Sequence, residues 1–566
     1  MKSELAKQIA EACKELFDVE VDIELTRPEE QLGDYATNVA LQLSKQLGKN
    51  PREIAEALAV KLRETLADQV SEISVAGPGF INLKLSDEAL AVSLDVKPSQ
   101  SLAGQTIVAE YSDPNPFKVL HAGHFYTSVV GDAIANLLQQ AGAQVHRVNY
   151  GGDVGLHVAK TMWAIIFYET KGNVSDEELA LFKTKTYQDK PLETRAAWLA
   201  NHYTRGTADY ENDNEDAKAQ IAELNKRIYQ IHSDNDQDSP LAQIYWLGRQ
   251  WSYDYFDVFY ARIGTRFEKY YPESETAPLG LQTVREHTGP VYEESDGAVI
   301  FNGEKYDLHT RVFINSKGLP TYEAKDVGLV IKKWQDYKFD QSIVITGNDI
   351  IEYMKVVLKS IEQFMPELAA RSRHLTHGMV KLAGGAKMSS RRGNILRAAD
   401  ILAAANEANK QLTGQDNQQT VLGAVKYAFL KNRTGGDIIY DPAESVSLEG
   451  NSGPYLQYAH ARARSILRKA EGEELASSLA LEPGERTLVR KLTEYPETVD
   501  KAVAELMPHH VCTYLYELAQ TFNRFYENNR VIGDEREALR LKLVRQYAET
   551  LKSGLNLLGI AAPEQM

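Results

Sequence analysis

At 566 residues, 43% of them hydrophobic and 25% charged, the chain is long enough for several packed domains, which excludes both a single small module and general disorder. Its 63 basic and 79 acidic side chains leave a net charge of -16, so a nucleic-acid binder driven by overall positive charge is excluded and any such contact must use local basic stripes. Cys13 and Cys512 stand alone, without CxxC or Cys/His clustering, so neither a disulfide framework nor structural zinc is expected and a reducing compartment is.

The opening MKSELAKQIAEACKELF alternates charged and apolar residues at helical spacing and lacks the apolar core of a signal peptide, which predicts a cytoplasmic protein. No apolar run approaches the ~18 residues of a membrane helix, so no membrane span is expected. Residues 1–90 read as a small α+β module: two amphipathic helices, then ISVAGPGFINLKL, in which Gly77, Pro78 and Gly79 force a turn. TIVAEY is a β-branched strand, followed by the loop SDPNPFKVLHAGH, the helical FYTSVVGDAIANLLQQAG and the strand QVHRVNY, together a βαβ unit. From about 165 to 300 long helices are predicted, with the acidic run Asp209, Glu211, Asp213, Glu215 and Asp216 and the aromatic WLGRQWSYDYFDVFY, as an insertion into the α/β domain. RVFINS and SIVITG bracket a helix from Tyr322 to about Trp334 and are expected to form the second half of a parallel sheet. Beyond residue 395 helical periodicity runs on without a strand. The expected architecture is thus α/β at 105–395, preceded by the α+β module and followed by a connecting helical region at 396–444 and an all-α bundle at 445–566.

Two constellations carry chemistry. His121-Ala122-Gly123-His124 stands where a loop passes into a helix, and a helix N-terminus at the end of a parallel strand offers unpaired N–H groups to phosphate. Imidazoles at i and i+3 project to one side and can donate to phosphate oxygens, while Gly123 would let a flat base lie close to the backbone. Two unrelated surface histidines or a helical metal pair are the blander alternatives. The second constellation is Lys387-Met388-Ser389-Ser390-Arg391-Arg392-Gly393-Asn394, in a glycine-flanked stretch from Lys381 to Ala399 that holds five basic residues and no acid. Such a loop can clamp a pyrophosphate; alone, it is equally a solvated basic loop. Neither a GxxxxGK[ST] loop nor a GxGxxG turn is present.

HxGH after the first strand and KMSS-R after the second half-sheet resemble the two signatures of class I aminoacyl-tRNA synthetases. SDPNPFKVLHAGH, NYGGDVG, GLPTYEAKDVGL, LEGNSGPYLQYAHARARSILRK, YLYELAQTFNRFYENNRV, GDYATNVALQL and the terminal APEQM narrow the resemblance to the arginyl-tRNA synthetase family, in one colinear order over the whole chain. The resemblance implies a Rossmann-like class I catalytic domain with a helical insertion, an N-terminal domain that meets the outer corner of tRNA, and an anticodon-binding helical bundle. It implies ATP-dependent ligation of L-arginine to tRNA(Arg) through arginyl-adenylate, with ATP entering as its Mg2+ complex, no protein metal site, and a monomer. Carried over by motif, His121, Gly123, His124, Lys387, Met388 and Ser389 bind ATP, and Lys118, His121, His124, Lys387 and Ser389 act on the developing charge. Asp326 and Glu110 hold the guanidinium, Tyr322 lines the pocket and Asn115 takes the α-amino end. Class I enzymes commonly carry a second lysine where Ser390 stands, and Lys118 resembles a substitute for it.

The residues themselves agree with a basic amino acid. A guanidinium needs carboxylates arranged to match its fork, and Tyr322 and Asp326 lie one helical turn apart on one face. Lysine satisfies one carboxylate only. For tRNA, Arg462, Arg464, Arg468 and Lys469 lie beside Tyr455 and Tyr458, mixing phosphate neutralisation with base stacking, although each tyrosine taken alone reads as core. Asp34, Tyr35 and Asn38 are weaker candidates in the first module. Another class I synthetase, a small nucleotidylyltransferase and a catalytically inactive tRNA-binding paralogue are the competing readings. Against them stand the missing zinc-ligand cysteines, the carboxylates where acidic amino acids would want an arginine, the long helical C-terminal part, and the presence of both histidines and the lysine loop.

Overall fold

The structure, a computed structural model, describes residues 1–169, 190–212, 215–383, 396–470 and 480–566. The first module comprises α1 (Lys2–Phe17), β1 (Tyr35–Thr37), α2 (Val39–Leu47), α3 (Pro51–Thr65), β2 (Val70–Ala76) and β3 (Phe80–Leu85), with α4 (Asp87–Val92) leading out. Asn50 caps α3 by accepting the Arg52 N–H, and Pro51 takes the first helical position, where no N–H is needed. Gly77 and Gly79, both at positive φ, turn β2 onto β3 in an antiparallel sheet of order β1-β3-β2.

The central domain opens with β4 (Thr106–Glu110), α5 (Ala122–Gln140) and β5 (Gln144–Gly151). Then come α6 (Leu156–Glu169), α7 (Leu192–Glu211), α8 (Glu215–Ser233), α9 (Pro240–Ile263), β6 (Lys269–Pro272) and α10 (Glu273–Glu286). Its second half holds β7 (Glu293–Ser295), β8 (Ala298–Phe301), β9 (Arg311–Ile314), α11 (Tyr322–Tyr337), β10 (Gln341–Gly347), α12 (Ile351–Glu362), α13 (Pro366–Arg371), β11 (Ser372–His377) and β12 (Val380–Leu382). Five strands make a parallel sheet of order β11-β10-β4-β5-β6. Ile107, Val108 and Ala109 of β4 are wholly buried, as central parallel strands require. Helix α5 is buried on nearly every face, and Gly131 lets the Tyr111 ring lie on it, since a Cβ there would come within 2.2 Å of that ring.

Two expectations change. RVFI of β9 does not join the parallel sheet; it closes a separate antiparallel sheet of order β7-β8-β9. The reason is its wet face: Val312 is 39% exposed, which an inner parallel strand cannot tolerate. In the other direction β6, inside the stretch expected to be inserted helices, pairs with β5 as the edge of the parallel sheet.

The C-terminal part contains α14 (Ala398–Thr413), α15 (Gln418–Leu430), β13 (Ile438–Tyr440), α16 (Pro442–Ser445), α17 (Gly453–Lys469), α18 (Pro483–Thr493), α19 (Tyr495–Glu505), α20 (His509–Asn528) and α21 (Glu537–Leu557). Strand β13, where none was expected, pairs parallel with β12. A three-residue strand has too short an alternation to stand out from the flanking helices.

Asp34 and Tyr35, weak candidates for tRNA contact, lie instead in the seam between the first module and this bundle. Asp34, 2% exposed, accepts from Arg486 of α18 at 2.7 Å, and the other arm of Arg486 reaches Asp87 at 2.5 Å. The Tyr35 hydroxyl donates to Glu497 of α19 at 2.7 Å, and Arg27 donates to that same carboxylate at 2.7 Å. Their polarity serves domain docking, which sequence cannot separate from RNA contact. Asn38 stands at the N-cap of α2. Among the described residues no helix is long and apolar enough to cross a membrane.

Candidate active site

The site lies at the C-terminal end of β4, β5 and β10, where a doubly wound sheet binds its ligands. Its anchor is the N-terminus of α5. His121 is the N-cap, and its Nδ1 accepts the N–H groups of Gly123 at 3.1 Å and His124 at 3.3 Å. The His121 N–H in turn reaches Nδ1 of His124 at 3.3 Å. These donors fix each Nδ1 as the acceptor, so the proton of each neutral ring stands on Nε2. The rings stack 3.7 Å apart at 17°, which sets two Nε2–H donors side by side.

Burial holds both imidazoles neutral. His121 is pushed down to about 4 by desolvation and by Lys118, and His124 lies well below the usual range from desolvation, His121 and Lys118. The pair is therefore a dipolar cradle rather than a cationic one. Gly123 has a reason different from the expected approach of a base: a Cβ there would meet the His121 ring at 2.9 Å.

The loop between β4 and α5 places the remaining candidates. Asp113 accepts the Tyr150 N–H and Asn115 accepts the Gly152 N–H, both at 2.8 Å, pinning the loop to the end of β5. Lys118 directs its ammonium over the Tyr203 ring of α7, 4.4 Å from the centroid, so an inserted helix closes this side. Lys387, Met388, Ser389 and Ser390 lie outside the described residues. The residues after them do not: the Ala122 N–H donates to Leu396 O at 2.8 Å, and Arg397 bridges His121. The chain just after the second signature is thus tied to the first at the N-terminus of α5.

Helix α11 supplies the opposite wall. Asp326 accepts a hydrogen bond from the Tyr353 hydroxyl of α12 at 2.5 Å, and burial raises its carboxyl to about 7. Tyr322, one turn earlier, is 55% exposed at the mouth, its phenol pushed up to about 12 by burial of the hydroxyl and by Glu273. Glu110, expected to face the guanidinium, is 3% exposed and forms an ion pair with Lys333, itself fully buried. A buried carboxylate needs a partner, and α11 provides one two turns after Asp326. Beside it, Lys325 donates to buried Glu273 at 2.6 Å. Lys333, Lys325, Glu273, Tyr353, Tyr203 and Asp113 were missed in the sequence. The only signal was the i, i+7 spacing of Asp326 and Lys333.

Three known domains match in order: the Arginyl tRNA synthetase N terminal domain over residues 3–85, the catalytic domain of class I (R) tRNA synthetases over 88–441, and the DALR anticodon binding domain over 456–566. The chain belongs to the arginyl-tRNA synthetases. Among curated relatives, this synthetase is similar to the arginine--tRNA ligase of Treponema denticola, 29% identical over 98% of the chain and 96% of the relative, and to that of Phocaeicola vulgatus, 27% identical over the full length of both. Among solved structures it is similar to the Thermus thermophilus arginyl-tRNA synthetase, with TM-score 0.80, 26% identity and full coverage of both chains. The expected fold class, with its class I catalytic domain, N-terminal domain and helical C-terminal domain, is borne out.

Of the candidate tRNA residues in the synthetase, Arg462 lies over the Tyr526 ring at 4.8 Å. Arg464 and Arg468 both engage Glu564, through its carboxylate at 2.5 Å and its carbonyl at 2.9 Å. The Tyr455 hydroxyl accepts from Asn523 at 2.9 Å. Tyr458, expected in the core, is 46% exposed one turn before Arg462.

Proposed function

We propose that this synthetase activates L-arginine in the cleft between α5 and α11 and passes it to tRNA(Arg). An arginine carboxylate oxygen attacks the α-phosphorus of ATP, the bond to the pyrophosphate oxygen breaks, and arginyl-adenylate forms. A hydroxyl of the terminal ribose then attacks the carbonyl and AMP leaves. No side chain becomes a nucleophile, so positioning and charge stabilisation supply the rate.

The observation that carries the reading is the His121 and His124 pair. Two neutral rings with Nε2–H outward and Nδ1 anchored on backbone donate to phosphate oxygens without the repulsion that two adjacent imidazolium groups would suffer. Lys118 and Lys387 supply the cations for the departing pyrophosphate, with Ser389 and the backbone at Gly123 and Met388 completing the ATP contacts. ATP enters as its magnesium complex. Asp326 faces the guanidinium, Tyr322 covers the mouth, Asn115 receives the α-amino end, and Glu110 with Lys333 forms the floor.

Arg462 and Tyr458, neighbouring and exposed on α17, are the outward contacts for tRNA, with Arg464, Arg468 and Tyr455 shaping the surface behind them. The first module, 1–90, takes the outer corner of the tRNA; the catalytic domain spans 105–395 and the anticodon bundle 445–566. The two buried, free cysteines fit a reducing cytoplasm, and the chain acts as a monomer. Pyrophosphate exchange with each of the 20 amino acids, with and without total tRNA, is the test. Exchange with arginine alone is expected, and exchange with glutamate, glutamine or cysteine instead would overturn it.

A further inference from the structure

One face of the parallel sheet gathers polar side chains beneath α11. Glu110 ends β4 in register with Val148 of β5, so Tyr150, two residues further along β5, projects from the same face. The Tyr150 ring packs against the apolar cluster that includes Val327 and Val330 of α11. From above, α11 brings Asp326 and α12 brings Tyr353. The backbone of Tyr150 is fixed as well: its N–H donates to Asp113 at 2.8 Å, and β5 pairs it with Tyr271 of β6.

The hydroxyl at the end of this fixed ring has no partner. It is buried and makes no hydrogen bond among the described residues, the Thr276 hydroxyl beside it lying outside hydrogen-bond geometry. Other phenols of this domain are paired: Tyr260 with Ser112 at 2.7 Å, Tyr271 with Asp336 at 2.7 Å and Tyr353 with Asp326 at 2.5 Å. A buried hydroxyl left alone is costly unless a ligand pairs it.

The surroundings say which ligand group fits. Burial, and after it Asp326, Glu273 and Tyr353, hold the phenol well above its ordinary range, so it stays neutral and turns lone pairs into a negative environment. The partner suited to that oxygen is a cationic N–H. The carboxylates nearby also fall short of a guanidinium. Glu110 gives one oxygen to Lys333 and Asp326 gives one to Tyr353, and among the described residues no hydrogen bond reaches the other oxygen of either. A guanidinium carries five N–H donors in one plane, and Tyr150 supplies a third acceptor without a third charge.

The loop before the site is strained to hold this ring. Ser112 and Asp113 take consecutive left-handed conformations at φ 78° and 51°, and Ser112 is locked by the Tyr260 hydroxyl at 2.7 Å and the Ser128 hydroxyl at 2.9 Å. What the strain delivers is the Asp113 carboxylate at the Tyr150 N–H. Strain so firmly over-determined marks a place where position matters.

We infer that Tyr150 is a substrate-binding residue of this enzyme, its hydroxyl oxygen accepting an N–H of the arginine guanidinium between Glu110 and Asp326. The inference rests on the reading that arginine binds in this cleft, and adds to it a neutral acceptor on β5. It makes Tyr150 specificity-determining: a planar fork reaches acceptors on β4, β5 and α11 together, and an ammonium, with its donors on one atom, does not.

Tyr150→Phe removes the hydroxyl and keeps the ring, and two measurements separate a substrate role from a structural one. The melting temperature of the unliganded full chain should be unchanged or higher, because a hydroxyl with no partner contributes no bond. The KM for arginine in pyrophosphate exchange should rise about tenfold or more, the KM for ATP should stay within twofold, and the thermal stabilisation given by a fixed concentration of L-arginine should shrink. Thr276→Val, which removes the neighbouring hydroxyl, should leave the arginine KM within twofold. A rise of less than threefold in the arginine KM of Tyr150→Phe overturns the assignment. So does a lower melting temperature of the unliganded chain, shared by Thr276→Val, with arginine and ATP weakened equally, which is the signature of a structural hydroxyl pair. Absence of arginine-dependent exchange and of any thermal shift by arginine in the wild type overturns the cleft reading instead.

Discussion

Arginine is recognised twice in this molecule, once within the chain and once in its active site. At the seam, Arg486 spreads its guanidinium between Asp34 and Asp87 and also donates to Leu85 O at 3.0 Å, so two carboxylates and a carbonyl share one fork. Asp34 is further supported by the Leu85 N–H at 2.8 Å and by Arg490 at 3.4 Å. In the cleft, Asp326 and Asp113 repeat the pair of carboxylates, but no arginine of the described residues serves them and burial lifts both carboxyls. The seam is built for stability, with its charges compensated on folding. The cleft carboxyls have no cationic side chain of the described residues as ion-pair partner and burial disfavours their ionised form, so the same residue types form a compensated pair in one place and an open, neutral-leaning one in the other.

The comparison is sharpened first where charge matters for rate. Among the described residues Lys118 forms no ion pair and lies over the Tyr203 ring, so Lys118→Ala should leave stability unchanged while lowering adenylate formation by about 100-fold or more, the cost of losing one preorganised donor at a developing charge. Adding Ser390→Lys should recover part of that loss, and a double-mutant cycle on adenylate formation should be strongly non-additive. A near-neutral Lys118→Ala, or no rescue, removes Lys118 from the chemistry.

The seam should respond in the opposite way. Asp34→Asn leaves Arg486 with one carboxylate and should cost on the order of 1.5 to 3 kcal/mol in docking of the first module. Urea unfolding and limited proteolysis read the loss, while arginine-dependent pyrophosphate exchange should be unchanged. Loss of exchange with normal unfolding would mean that the seam couples to the cleft.

Asp326→Asn should raise the KM for arginine about tenfold to a hundredfold with little change for ATP, since one charge-assisted partner is worth roughly 1.5 to 3 kcal/mol. Its stability effect should have the reverse sign to that at the seam. A carboxyl held at about 7 in the folded chain and near 3.8 when unfolded costs no stability while both states are protonated, weakens the native state progressively as pH rises from about 4 to about 7, and leaves that penalty constant above. The Asn variant should therefore unfold at the same or higher temperature than wild type at pH 8, with the difference shrinking towards pH 4. By the same linkage, arginine affinity of the wild type should rise with pH through about 7 and then level off.

What was legible before the structure follows from the range of the interactions. The βαβ unit and the placing of His121 and His124 on a helix start are local, set by β-branched runs and by spacing of three residues, and both were readable. The sealing of Glu110 by Lys333 joins residues 223 positions apart, and a lysine in an amphipathic helix is indistinguishable in sequence from one on a solvated face. Strand β9 failed for a related reason: four alternating residues fit an inner parallel strand and a half-wet antiparallel one equally, and only the exposed Val312 separates them. Asp113 was quoted within its motif but not weighed, because its hold on the Tyr150 N–H depends on left-handed φ angles that sequence does not display outside glycine.

The smallest effect concerns the inserted helix α7. Tyr203 offers the Lys118 ammonium a ring face at 4.4 Å, a contact worth roughly 0.5 to 1 kcal/mol at an accessible site. If the ring holds the ammonium ready beside the histidine pair, Tyr203→Ala should slow adenylate formation by about two- to fivefold, and Tyr203→Phe, which keeps the π face, should be close to wild type. In a Lys118→Ala background Tyr203→Ala should add nothing, because the partner it positions is gone. An additive loss would show that Tyr203 serves the cleft by another contact, such as packing against the Tyr322 mouth. A faster Tyr203→Ala enzyme would show that the ring restrains Lys118 away from the phosphates. In that case the inserted helix tunes the cation's availability rather than its position, and the cleft, unlike the seam, would hold even its cations in loose, breakable contacts.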